Sequence, residues 1–245
     1  NNIVPVEVAQ KVFSDSNLPC IGKAGIREIN KLARDLEAAS GVKFIHMEMG
    51  NPGLPAAQAG VEAQIKALQN GVAATYPPID GIPSLKNEAS RFIKNFLDLD
   101  VNAANCIPTV GSMQGAFASF MICGHTNKEK NTILFVDPGF PVHKFQTKIL
   151  GMNLEAFDIY EYRGENLRTK LESIFATGKI HSILYSNPNN PTWVCLTDEE
   201  LRIIGELANK YDVIVLEDLA YFGMDFRKDY SHPGVAPYQP TVGKY

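Results

Sequence analysis

The 245 residues hold few of the features that classify a chain at a glance. Lysine and arginine number 23 against 27 acids, a net charge of −4 with no long block of either sign. That balance argues against nucleic acid or an anionic membrane as a partner. No apolar run is long enough to span a bilayer; the longest, around 116–123, reads as a buried helix. The amino-terminal stretch Asn-Asn-Ile-Val-Pro-Val-Glu lacks the basic and apolar regions of a signal peptide, so a cytoplasmic location is expected. Cys20, Cys106, Cys123 and Cys195 are scattered without a Cys-x-x-Cys pair. They read as reduced thiols, mainly filling core space, and no metal site is expected. Neither Gly-x-x-x-x-Gly-Lys-Ser/Thr nor Gly-x-Gly-x-x-Gly occurs, which disfavours nucleotide and dinucleotide enzymes. Internal repeats and low-complexity linkers are absent too.

What is present is 45% hydrophobic content, ample for a core, and a regular alternation of elements. Ile26, Ile29, Ala33 and Leu36 share one face of a helix over 24–40, which Gly41 is placed to end. A short strand is predicted over 44–49 and a helix over 82–97, with Pro83 in its first turn. From there strands at 132–136, 154–158, 180–185 and 213–216 alternate with helices near 112–123, 140–150, 165–176 and 198–210. Thr197 and Glu200 make a capping box for the last helix. Such an order implies an α/β fold, a mostly parallel sheet flanked by helices.

Polar clusters follow several of these strands. Gly111-Ser112-Met113 turns into an apolar helix whose free N–H groups suit a phosphate. Asp137-Pro138-Gly139-Phe140 offers an aromatic ring at a strand end, with His143 close behind it in sequence. Asn187-Pro188-Asn189-Asn190-Pro191-Thr192 and Asp218-Leu219-Ala220-Tyr221 follow two neighbouring strands. In an open parallel sheet they put Asn190, Asp218 and Tyr221 on the rim where ligands bind. A carboxylate beside a pyridine nitrogen holds it protonated, and an amide and a phenol can bind an oxygen on the same ring. Together they outline a site for pyridoxal phosphate.

In order and content these motifs, with Gly50-Asn51-Pro52 and with Tyr76 and Gly81-Ile82-Pro83-Ser84-Leu85 ahead of them, resemble the class I/II aminotransferases. The resemblance covers roughly residues 45–225. It implies a fold-type I, pyridoxal-phosphate transferase-like large domain at 49–245, preceded by an arm and part of a small domain at 1–48. It further implies that Gly111, Ser112 and Met113 cradle the cofactor phosphate and that Phe140 stacks on the ring. Asp218 would pair with the ring nitrogen, Asn190 and Tyr221 would hold the ring oxygen, and Gly50 and Asn190 would lie near the substrate carboxylate. Tyr76 would reach the partner's phosphate in a homodimer. The implied reaction moves an amino group between an amino acid and a 2-keto acid, with Asp218 and Tyr221 the catalytic residues.

The chain also departs from that pattern. The family's Schiff-base lysine follows Asp-x-Ala-Tyr in a serine-rich context, and neither Lys228 nor Lys244 has one. The chain therefore reads as the amino-terminal part of a longer enzyme, incomplete at its carboxyl end and inactive alone. Asn51 stands where an acid is common, and Trp193 replaces a small residue, which puts a bulky ring at the mouth of the site. A lyase or decarboxylase of the same fold, or a non-catalytic remnant that binds pyridoxal phosphate, are the alternatives. A transcription regulator would need a basic recognition helix, which residues 1–45 lack.

Overall fold

Four parallel strands set the architecture of the computed structural model, which describes residues 3–51 and 53–245. Pro52 of the Gly50-Asn51-Pro52 motif lies outside the described residues. The chain divides into two compact units, residues 1–75 and 76–245.

The first unit contains helices α1 (Val6–Asp15), α2 (Ile26–Ser40) and α3 (Gln58–Gln69). Glu28 accepts a hydrogen bond from the Gly25 N–H at 2.7 Å at the start of α2. Gly41 ends that helix in the left-handed region at φ 72°, as a residue without Cβ can. The strand expected over 44–49 does not form. The Phe44 N–H donates to Glu37 Oε1 at 2.9 Å, and Glu48 takes bonds from Asn30 at 2.6 Å and His46 at 2.8 Å. Side chains of α2 thus capture polar groups that a strand would offer to a neighbour. The His46 bond holds the Glu48 carboxyl down to about 2. Helices α1 and α3 bury no residue fully, although α1 carries an apolar face of Val6, Ala9, Val12 and Phe13.

The second unit opens with α4 (Pro83–Leu97), whose first position is Pro83, and α5 (Gly111–Thr126). Four strands follow, β1 (Thr132–Asp137), β2 (Asn153–Asp158), β3 (Ile180–Ser186) and β4 (Ile214–Asp218). They alternate with α6 (Pro141–Ile149), α7 (Glu165–Phe175) and α8 (Asp198–Tyr211). The sheet is parallel throughout, in the order β2-β1-β3-β4. Leu134, Val136, Ile183 and Tyr185 point to one face, where α7 and α8 add Leu167, Leu171, Phe175, Leu201 and Ile204. Ile133, Phe135 and Leu184 point to the other, against Phe120 of α5. This is the period-two pattern of strands covered on both sides.

Thr197 and Glu200 form the expected capping box of α8. Glu200 is almost fully buried and also binds Arg163 through two nitrogens, at 2.6 and 2.8 Å. Two expectations need correction. Helix α5 buries only Phe120 and Cys123 completely and leaves Met121 and Ile122 exposed, because a single layer of sheet covers one side of it. All four cysteines are free, but only Cys123 is in the core; Cys20 is exposed and the other two are partly so. Among the described residues no helix is long and apolar enough to cross a membrane, and no cluster of three acids, histidines or cysteines could hold a metal.

Candidate active site

A cavity of about 510 Å³ opens on the α5–α6 side of the sheet, at the carboxyl end of β4. Its size is that of a small-molecule pocket. Ser112, Gly115, Ala116 and Ser119 supply one wall, a stripe of small residues at helical spacing along α5. Opposite stand His143 of α6, Leu184 of β3 and the run from Val215 to Ala220.

Asp218 ends β4 with both carboxylate oxygens engaged. Ser186 Oγ donates to Oδ2 at 3.0 Å, and the Ala220 N–H donates to Oδ1 at 3.0 Å. His143 Nε2 stands 3.9 Å from the same Oδ2, and its ring is only 2% exposed, wedged edge-on against Phe120 and Phe140. Burial pushes the His143 pKa down, against the pull of Asp218, so the ring is neutral near pH 7. Its Nδ1 has no hydrogen-bond partner among the described residues. Behind Asp218, Glu217 is turned away into a bonded network with Tyr185 and Thr241, and burial raises its pKa.

At the start of α5 the Gly111 N–H already donates to Thr109 O at 2.9 Å, and no side chain caps the helix. Val110 precedes it with no side-chain bond to the first-turn amides, and Gly111 turns the chain at φ 74° with open space where a Cβ would stand. An uncapped helix start and a carboxylate thus border one cavity. That donor set suits a flat ring with a basic nitrogen at one end and a phosphate at the other.

Of the residues singled out in the sequence, Ser112 and Asp218 line this cavity together, with Gly111 and Met113 flanking Ser112. Phe140 caps α6 and packs on His143, with ring centroids 5.4 Å apart. Asn190 and Tyr221 lie in the loops after β3 and β4, outside the cavity wall itself. The Tyr221 ring meets Trp193 edge to face at 5.5 Å. Tyr76 is fully exposed. Gly50 belongs to the other compact unit. Lys228 borders a different hollow, and Lys244 lies over the Tyr238 ring; among the described residues none lining the main cavity is a lysine.

Sequence reasoning overlooked Gly115, Ser119 and Ser186. The first two had a signal: Ser-x-x-Gly-Ala-x-x-Ser in an otherwise apolar helix. Ser186 had none, because its role comes from strand register, where it pairs with Asp218.

Trp193 holds a left-handed backbone at φ 59°. For a residue with a Cβ that conformation costs about 1–2 kcal/mol. Asn189 holds the turn in place: its backbone bonds Trp193 and Val194 at 2.9 Å, and its side chain takes the Thr192 hydroxyl at 2.7 Å.

Comparison with known proteins places these features. The family described as aminotransferase class I and II matches residues 42–243. A probable aspartate aminotransferase of Methanocaldococcus jannaschii is 28% identical over 213 residues, 87% of this chain and 53% of the relative. The glutamate-pyruvate aminotransferase AlaC of Escherichia coli is 29% identical over 184 residues, 74% of this chain and 43% of its own. Among solved structures, an aminotransferase from Mycobacterium tuberculosis superimposes with a TM-score of 0.69 at 20% identity, over 85% of this chain and 51% of that one. The chain thus spans about half the length of the curated relatives it matches.

Proposed function

Since this chain belongs to the aminotransferase class I and II family, we propose that it forms the cofactor-binding part of an enzyme that moves an amino group between an amino acid and a 2-keto acid. The observation that carries the reading is the single cavity bordered by the uncapped start of α5 and by Asp218, with His143 enclosed behind the carboxylate. Members of this family use pyridoxal phosphate. When bound, it supplies an electron-poor ring that takes up the electron pair left at the substrate's α-carbon.

The roles of this chain's residues follow from their chemistry. The first-turn amides of α5, with Gly111, Ser112 and Met113, bind the phosphate without a counter-charge from a side chain. Asp218 keeps the ring nitrogen protonated. Ser186 and the Ala220 N–H fix the direction of that carboxylate, and neutral His143 excludes water from its rear. Phe140 lies over the ring face, and Asn190 and Tyr221 donate hydrogen bonds to the ring oxygen. Gly50 and Asn190 lie near the substrate carboxylate.

Tyr76, fully exposed on its own subunit, is assigned to the partner's phosphate in a homodimer. Residues 49–245 are read as the large domain, preceded by an arm at 1–48, in a cytoplasmic enzyme. The lysine that carries the proton lies outside the residues assigned here.

The test is amino-acid-dependent formation of a second amino acid from a 2-keto acid by the native protein supplied with pyridoxal phosphate. Turnover that falls at least about a hundredfold in Asp218→Asn supports the reading, as expected for a lost charge at the reacting ring. Turnover equal to wild type in that variant removes Asp218 from the chemistry. Release of carbon dioxide or ammonia in place of amino transfer moves the reaction to the decarboxylase or lyase alternative.

A further inference from the structure

Trp193 is the single tryptophan of the chain, and it occupies a backbone conformation that suits glycine. A bulky residue persists in such a region when its surroundings over-determine it, and such positions cluster at functional sites. Here the over-determination is visible. The nearly buried Asn189 closes the turn from 189 to 194 through both its backbone and its side chain, and the Thr192 hydroxyl in turn accepts from the Val194 N–H at 3.3 Å. The ring that this turn projects is not consumed by the core. It remains 40% exposed and presents its edge to Tyr221, at 5.5 Å and an interplanar angle of 70°.

Two residues assigned to the same ring oxygen are thereby joined. Asn190 lies within the turn that Trp193 closes, after β3; Tyr221 lies after β4. We propose that Trp193 is a positioning residue that couples these two loops, fixing the Tyr221 phenol relative to the Asn190 amide. The assignment rests on the cofactor reading given above. Its physical basis is the edge-to-face aromatic contact, which constrains ring orientation as well as distance. Tyrosine rings turn readily about two side-chain torsions when nothing packs on one side, and the phenol is then less well placed to donate. Glycine at this position would relieve the backbone but leave Tyr221 without that neighbour.

A structural role and a positioning role make opposite predictions. If Trp193 merely packs, Trp193→Gly destabilises the protein and leaves ligand affinity unchanged. If it positions Tyr221, Trp193→Gly melts no lower than wild type, because backbone strain is removed, yet binds the cofactor more weakly. The probe is pyridoxamine 5′-phosphate, which binds without the lysine and absorbs where tryptophan emits. Titrated into the native protein, it quenches Trp193 emission, taken as the difference from Trp193→Phe, as the site fills.

Affinities for all variants are then compared by calorimetry. The expected result is a roughly tenfold weaker Kd for Trp193→Gly, recovery to within about threefold in Trp193→Phe, and no further loss when Tyr221→Leu is added to Trp193→Gly. Unchanged affinity in Trp193→Gly, or fully additive losses in the double variant, overturns the proposal while the cofactor reading stands. Absence of saturable binding to wild type overturns the cofactor reading, and the proposal with it.

Discussion

His143 Nε2 lies 3.9 Å from Asp218 Oδ2 in a pocket that leaves the imidazole almost no contact with water. The distance is longer than a hydrogen bond, and burial outweighs the carboxylate's attraction, so the folded protein keeps this ring neutral. His181, enclosed on β3 beside Ser182, is lowered in the same way by burial and by Lys130.

Both histidines therefore bind a proton more readily in the unfolded chain, where the pKa returns to its ordinary 6.5. Stability is complete above that value and is lost as pH falls below it, by at most about 1.4 kcal/mol per pH unit for each ring. Urea unfolding between roughly pH 7.5 and pH 5.5 should show a falling midpoint. His181→Asn should flatten the slope. A slope identical in the variant would exclude His181 as a source.

Glu200 is a buried carboxylate of the second unit shared by Arg163 and by the N–H groups of Gly164 and Thr197. Burial alone would raise its pKa; these donors reverse the sign and lower it. Its contribution is present above the ordinary value of 4.5 and fades in acid. Glu200→Ala should destabilise the protein by about 1–3 kcal/mol, since it removes half of the capping box of α8 and the carboxylate partner of the partly exposed Arg163. Glu200→Gln keeps one acceptor oxygen, and so one of the two backbone bonds, and should cost less. Equal losses in the two variants would mean that the charge accounts for the whole effect and the retained hydrogen bonding for none of it.

Gly81 has φ 98°, and a Cβ there would lie 2.5 Å from Pro108 Cδ. The neighbour is a rigid ring, so the clash cannot be relieved by a rotamer change. Gly81→Ala should lower stability by about 2 kcal/mol or more. By contrast Gly151→Ala, at φ 69° with open space around it, should lose only about 1 kcal/mol. Comparison of the two melting temperatures separates packing from backbone strain.

How much of this was legible in sequence depends on whether the signal was local. Most strands and helices of the second unit announce themselves, as short apolar runs or periodic faces; α5, apolar nearly all round, and β2, with Asn153, Glu155 and Asp158, are the exceptions. Thr197 with Glu200 predicts the start of α8 to the residue, since a capping box is a local interaction. Asp218 could likewise be assigned to a strand end, whereas no strand precedes Ser112, where one was expected. The segment at 44–49 misled because Glu37 and Asn30, up to 18 residues away, compete for its polar groups. Ser186 was invisible because only the register of β3 with β4 sets it beside Asp218. Trp193 was legible as an unusual residue, but its left-handed backbone and its contact with Tyr221 require coordinates.

The central claim is that the cavity beside Asp218 holds a phosphorylated pyridine whose nitrogen is paired with that carboxylate. Its most direct test is calorimetric titration of pyridoxamine 5′-phosphate into the native protein and into Asp218→Asn. The account predicts saturable binding at one ligand per chain, weakened at least about tenfold in the variant, or about 1.4 kcal/mol. Equal affinity in the two proteins, or no saturable binding to either, would contradict it.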